Sequence, residues 1–309
     1  MIYFDIILFA LGTMLLYYGS NILIDNSSAL AKKYNISKVV IGMTLVALGT
    51  SFPEFVVSII AIYKGEIDLV IGNILGSNIA NIGLVLGFSS LFYEIKYSFR
   101  SVRVDALFLV IASLLFSGIL HFQYFNFTVG LSLLFIFGIY IYTLVNLGRI
   151  DEENMDDSDF DSSRKLMILI FLGMASLSAG SNMLINSAIN IANYFNISSM
   201  IIGITAVALG TSLPELATSF SAARKNEFGL LLGNIFGSNV INIVFVFGSS
   251  LLINESIPKV VNYSSELILF LCLTILLILS LIYGKISRFM GAFFLITYIY
   301  FILRMFSIL

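Results

Sequence analysis

The sequence predicts an all-α membrane protein of ten transmembrane helices, arranged as two inverted five-helix repeats with the N- and C-termini outside. Three observations carry this. First, hydrophobic residues make up 59% of the chain and charged residues only 11%, against about 25% charged in soluble domains. With a mean hydropathy of +1.02, such a chain cannot cover a water-facing surface. Second, its apolar runs are long enough for helices rather than barrel strands. Third, the chain repeats itself: an offset of 161 residues takes Gly19-Ser20-Asn21 onto Gly180-Ser181-Asn182, Glu54 onto Glu215 and Gly76-Ser77-Asn78 onto Gly237-Ser238-Asn239.

Taken in order, spans are expected at about residues 2–24, 38–62, 67–92, 102–120 and 126–148, then 165–190, 199–223, 228–252, 264–283 and 288–308. The opening "MIYFDIILFA" has no basic flank and no small-residue cleavage site, so it is expected to be the first span and not a signal peptide. The polar stretch Arg149 to Lys165 divides the spans five and five. The domains expected are therefore a first repeat at 1–148, an acidic cytoplasmic linker at 149–164 and a second repeat at 165–309.

Lys and Arg fix the orientation. With ten spans, one side holds Lys32, Lys33, Lys38, Lys96, Arg100, Arg103, Arg149, Arg164, Lys165, Arg224, Lys225, Lys285 and Arg288. The other keeps only Lys64, Lys259 and Arg304. Basic loops stay cytoplasmic, which places both termini outside. Five spans per repeat is an odd number, so the second repeat is inverted. Inverted repeats with a midplane site between them are a design of secondary transporters.

The chemistry concentrates in "GTSFPEF", Gly49 to Phe55, and its copy "GTSLPEL", Gly210 to Leu216. A charged side chain at bilayer depth costs ~2.5–3.5 kcal/mol even on a lenient scale. No basic residue falls deep in any expected span, so Glu54 and Glu215 need a mobile cation or proton as partner. Thr50 and Ser51, four and three residues before Glu54, share its helix face. Pro53 deprives the Gly49 carbonyl of its helical donor and Gly49 loosens the turn. The exposed carbonyls are tolerable only where they line a cavity or hold an ion. In "GNILGSNIAN", Gly72 to Asn81, and "GNIFGSNVIN", Gly233 to Asn242, the glycines are expected to pack helices closely. Ser77 with Asn81, and Ser238 with Asn242, are four apart and expected to face the site. Oxygen ligands without His or Cys suit Ca²⁺ and Na⁺; Mg²⁺ sheds water too reluctantly.

These doubled motifs resemble the paired α-repeats of the sodium/calcium exchanger family, within the wider cation/calcium antiporters, and the resemblance spans nearly the whole chain. It resembles the prokaryotic type, without a large regulatory loop. It implies ion sites built from Thr50, Ser51, Glu54, Ser77 and Asn81 with Thr211, Ser212, Glu215, Ser238 and Asn242, joined by the backbone carbonyls of Ala47 and Ala208. It also implies that the first and sixth helices slide across the other eight. Sodium-type members often carry aspartate at one of the positions held here by Asn81 and Asn242, so the formal site charge is −2, from Glu54 and Glu215 alone.

The expected function is electrogenic exchange of Na⁺ for Ca²⁺ across the plasma membrane by a multi-pass antiporter. A proton/calcium antiporter on the same scaffold is the alternative, and a cation channel a more distant one. No enzyme is expected, because no Cys/His or Ser/His pair falls at bilayer depth. No cofactor and no protein partner are implied beyond the ions and the bilayer, and a net charge of −2 gives no footing for nucleic acid. Bland roles are expected elsewhere. The acidic linker, with Asp157, Asp159 and Asp161, lacks the glycine and glutamate of a calcium loop. His121 is expected in an outer loop, Cys272 in packing, and Asp105 and Glu266 at span starts, where snorkelling or a helix N-terminus accommodates them.

Overall fold

The structure, a computed structural model, describes residues 2–97, 99–147, 162–195, 210–253 and 263–305. Among them the fold is helical apart from one two-residue antiparallel pair. The first helix, α1, runs Ile2–Lys33. A broken span follows: α2, Lys38–Thr50, and α3, Phe52–Tyr63, meet at a bend of 46°. Next come α4 (Ile67–Phe92), α5 (Phe99–Phe122) and α6 (Phe127–Leu147). Beyond the linker lie α7 (Ser163–Tyr194), α8 (Leu213–Arg224), α9 (Phe228–Leu251), α10 (Ser264–Ile282) and α11 (Arg288–Met305).

Seven of the described helices are long and apolar enough to cross a membrane, and the bent pair makes an eighth span; Ser264–Ser280 is a shorter apolar helix. The protein is a multi-pass membrane protein. The linker at 149–164 and the start of the expected seventh span at 199–209 lie almost wholly outside the described residues.

Burial identifies the centre. In α9 94% of the span is buried and in α4 78%, against 28% for α1 and α7. The two central helices are the ones carrying the Gly-Asn-x-x-Gly-Ser-Asn motifs, and the low-burial helices turn broad apolar faces outward, as a lipid solvent permits. Each central helix changes winding at the same point of its repeat. Asn81–Leu86 and Asn242–Phe247 are π-helical, an i→i+5 distortion typical of functional sites. Gly42–Val46 in α2 is wound the same way.

Small residues set the helix spacing. The longest contact is between α1 and α7, where glycines meet glycines. A Cβ on Gly12 would lie 2.8 Å from the Gly180 carbonyl oxygen, and one on Gly180 2.9 Å from that of Gly12. Gly19 and Gly173 repeat the arrangement at 3.1 and 3.0 Å. Gly237 of α9 lies so close to α2 that a Cβ would meet the Met43 backbone at 2.6 Å, so this glycine packs as expected. For Gly72 and Gly76 the equivalent neighbours, residues 203–208, lie outside the described residues.

Polar contacts tie α1 to the helices beside it. Lys225 Nζ pairs with Asp25 at 2.6 Å, and Arg224 donates to Asn21 Oδ1 at 2.7 Å. Glu227 accepts from both Ser28 (2.9 Å) and Lys38 (2.7 Å). A two-stranded clasp, β1 (Ile95–Lys96) and β2 (Lys285–Ile286), pairs Ile95 with Ile286. Beside it Lys285 donates to Glu94 at 3.1 Å and holds that carboxyl below its ordinary range.

Candidate ion-binding site

The Pro53 ring lacks an N–H, and the chain bends immediately before it. Ser51 leaves the helical region (φ −83°, ψ 5°) and α3 starts with Pro53 in its first turn. Ser212 adopts the same conformation (φ −88°, ψ 1°) before Pro214 in α8. The break therefore falls at the serine rather than at the glycine. Gly49 has a different role from the one expected: a Cβ there would meet the Met174 side chain of α7 at 2.5 Å. It admits a neighbouring helix; the turn it occupies is helical.

The two bends deliver Glu54 and Glu215 to the interior, each 1% exposed. Side chains from both halves converge on them. Ser51 donates to Glu215 Oε1 at 3.3 Å, and Ser77 donates to Glu54 Oε1 at 3.4 Å. Ser77 Oγ also lies 3.4 Å from Thr211 Oγ1. Thr50 donates to Asn234 Oδ1 at 3.0 Å and sits 3.4 Å from the Ala47 carbonyl, which also takes the Ser51 N–H at 2.9 Å. Asn81 and Asn242 are buried at the crossing of α4 and α9 and donate to Asn239 and Asn78 respectively. Ser212 and Ser238 are fully buried in the same region. Ala208 lies outside the described residues.

Four asparagines were not singled out from the sequence. Asn73 donates to the Glu54 carbonyl (3.0 Å) and to Ser58 (2.9 Å); its equivalent Asn234 donates to Ser219 at 3.1 Å. Asn78 and Asn239 orient Asn242 and Asn81. Asn73, Ser77 and Asn81 stand four residues apart in succession on one face of α4, a signal available in the sequence.

The chemistry of this cluster lies in what is left over. Glu54 Oε2, Glu215 Oε2, Asn81 Oδ1, Asn242 Oδ1, Ser212 Oγ and Ser238 Oγ are buried without a hydrogen-bond partner. Buried polar atoms are normally satisfied, and leaving one unpaired costs about 1–3 kcal/mol, more for charged groups. The ion pairs Lys38–Glu227, Lys225–Asp25 and Lys285–Glu94 all lie away from the cluster. Four of these six atoms are carboxylate or amide oxygens, which accept, and the other two are serine hydroxyl oxygens, which can also face a cation. An oxygen cage with two carboxylates can neutralise a hard cation.

Elsewhere, Asp105 departs from its expected place. It is 2% exposed, with Oδ1 lacking a partner, so it does not snorkel to the membrane surface. The Cys272 side of α10 is exposed rather than packed. His121 ends α5, edge-on to Phe122 at 4.9 Å.

The family model for "Sodium/calcium exchanger protein" matches the chain twice, over residues 4–146 and 165–307. The chain is 36% identical to an uncharacterised membrane protein of Methanocaldococcus jannaschii, over 94% of each chain. It is 29% identical to the sodium/calcium exchanger MaX1 of Methanosarcina acetivorans, over the full length of both. A solved structure of the sodium-calcium exchanger NCX_Mj, soaked without Na⁺ and Ca²⁺, superposes with a TM-score of 0.85 at 35% identity, covering 99% of this chain and 100% of that one. With both doubled motifs meeting at one buried oxygen cluster, and the match running from end to end, this chain belongs to the sodium/calcium exchanger family.

Proposed function

We propose that the protein exchanges Na⁺ for Ca²⁺ across the cell membrane by alternating access, with the two ions competing for one set of oxygens. The observation that carries this reading is the pair of buried glutamates, one from each half of the chain, each with an unpartnered oxygen and no basic partner among the described residues. The ligands are Thr50, Ser51, Glu54, Ser77 and Asn81 with Thr211, Ser212, Glu215, Ser238 and Asn242, and the carbonyls of Ala47 and Ala208. An empty site carries −2 and crosses hydrocarbon at high cost; one Ca²⁺ or two Na⁺ neutralise it. Movement is then easy when loaded and blocked when empty, which makes exchange obligatory.

The scaffold for this reading is ten spans in two inverted five-helix repeats, 1–148 and 165–309, joined by a cytoplasmic linker, with both termini outside. The Lys and Arg distribution supports that orientation. The glycine-to-glycine contact makes α1 and α7 one body, which slides past the rest. A third Na⁺ per Ca²⁺ makes the cycle electrogenic, and its rate then follows the membrane potential at ~2.3 kcal/mol per charge per 100 mV. No enzymatic step, cofactor or protein partner enters this reading. The test is calcium uptake into proteoliposomes at fixed pH and clamped potential, with and without an opposing Na⁺ gradient. Sodium-driven uptake that varies with potential is the expected result. Uptake driven by a pH gradient and indifferent to sodium would overturn sodium coupling, and voltage-independent exchange would overturn the three-for-one count.

A further inference from the structure

The two ends of the bundle are not fastened alike. Where α8 ends, its last turn and the residue after it are bound to the side of α1. Arg224 donates to the Tyr17 hydroxyl oxygen at 3.1 Å and to Asn21 Oδ1 at 2.7 Å, with its guanidinium 5.1 Å from the centre of the Tyr17 ring. Lys225 Nζ pairs with Asp25 at 2.6 Å and donates to the Asn21 carbonyl at 3.3 Å. Asn21 Oδ1 also accepts from Ser221 at 2.9 Å. Tyr17, Asn21 and Asp25 stand four residues apart in succession, so one face of α1 carries all three. This is the end that the proposed orientation puts in the cytoplasm.

The 161-residue offset gives the matching positions at the opposite end, and there the charged parts are missing. Asn186 of α7 stands for Asp25 and Ser178 for Tyr17, while Tyr63 of α3 stands for Arg224 and Ile60 for Ser221. Lys64 and Asn182 keep the types of Lys225 and Asn21. Burial differs in the same sense: Ser221, bonded to α1, is 4% exposed, whereas Ile60 is 51% exposed. A contact made in one state and absent from the other is what biases an equilibrium between them. We propose that Tyr17, Asn21 and Asp25 with Arg224 and Lys225 form a latch that holds the Arg224 end shut and favours the state open at the other end. The inference rests on the alternating access proposed above. Reversing access lifts α1 from α8 and seats α7 on α3, where asparagine and tyrosine replace the aspartate and arginine of the latch.

Ser221 lies beneath α1 and reports on the latch. In full-length protein carrying Ser221→Cys and Cys272→Ala, purified in detergent, the rate of modification by a charged maleimide measures how often α1 lifts. Asp25→Asn and Arg224→Gln are each expected to raise that rate about two- to fivefold, as for the loss of one partly exposed charged contact. Exchanging the charges, Asp25→Lys with Lys225→Asp, restores the slow rate. Asn186→Asp, which gives Lys64 a rival pair at the far end, raises the rate as well; a pair that only stabilised the fold would not be answered from there. In proteoliposomes the latch variants lower the half-saturating calcium on the cytoplasmic side by the same factor, because apparent affinity follows the fraction of protein in the competent state. Labelling left unchanged by Asp25→Asn and Arg224→Gln would overturn the latch, whether or not the protein exchanges ions. So would a charge exchange that stays fast, or an Asn186→Asp variant that stays slow. Labelling that responds as expected in protein with no sodium-driven uptake would support the latch and count against the proposed function alone.

Discussion

Asn81 donates its amide to Asn239 Oδ1 at 3.1 Å, reaching from the central helix of one half of the chain to that of the other. The 161-residue offset turns this bond into its counterpart, Asn242 to Asn78 Oδ1 at 3.2 Å. Each donation commits the amide nitrogen of Asn81 or Asn242 and leaves its Oδ1 without a partner. The two bonds thus orient two carbonyl oxygens and hold α4 against α9.

Asn239→Ala removes the acceptor and leaves the buried Asn81 amide unpaired, at a cost of about 1–3 kcal/mol. The expected outcome is a lower unfolding temperature together with weaker calcium dependence of uptake. Asn239→Asp keeps an acceptor and should restore stability. Thermal unfolding alongside uptake at graded calcium separates these effects; an alanine variant with wild-type calcium dependence would show that Asn81 needs no positioning.

Glu54→Gln and Glu215→Gln are each expected to abolish calcium exchange while the protein still folds, since glutamine keeps the shape of the side chain. A unit charge about 4 Å from one carboxylate gains ~4 kcal/mol at an effective dielectric of 20, and a divalent ion about twice that, so losing one carboxylate costs at least roughly three orders of magnitude in calcium affinity. Uptake by reconstituted protein that remains monodisperse is the measurement. Exchange at the wild-type rate in either variant would remove that glutamate from the site.

Asn242→Asp adds a titrating group where the wild type has an amide. Protonated, the new aspartic acid leaves the site at −2, as asparagine does; ionised, it brings the site to −3 and strengthens calcium binding. Calcium affinity in the variant is therefore expected to rise with pH along a limb the wild type lacks. Calcium dependence of uptake across a pH series checks this. An unchanged profile would mean that Asn242 does not face the ion.

Gly180→Val is expected to stop exchange more completely than it destabilises the protein. A Cβ at Gly180 already meets the Gly12 carbonyl oxygen at 2.9 Å, and overpacking of this kind costs about 1–3 kcal/mol. Forcing α1 and α7 apart breaks the body that the proposed mechanism slides. Thermal unfolding and uptake on the same preparation test it, with Gly138→Val, where no neighbour lies within 4 Å among the described residues, as the control that should transport normally.

Membrane class, the duplication and the carboxylate pair were all legible in the sequence, because each is a property of local composition. A run of apolar residues needs no partner to be recognised as a span, and a glutamate in such a run is costly wherever the helix goes. Proline likewise acts on its own backbone, so the bends before Glu54 and Glu215 could be anticipated. Their position at Ser51 and Ser212 could not, because the last helical residue depends on what packs beside it. Gly49 shows the same limit: its glycine answers to Met174, 125 positions away in the chain.

What only the tertiary structure decided is which polar atoms meet. The sequence determines that asparagines and hydroxyls line one face of each central helix. Which atoms of Asn81 are taken up by another asparagine depends on the crossing of α4 and α9, and there its nitrogen goes to Asn239 and its oxygen is left unpartnered. Asp105 departs from its expected place for the same reason: a position near a span start says nothing of the helices that bury it. Helix formation is governed by neighbours in the chain, whereas burial and hydrogen bonding are governed by neighbours in space, and in lipid every buried polar atom must find its partner among the latter.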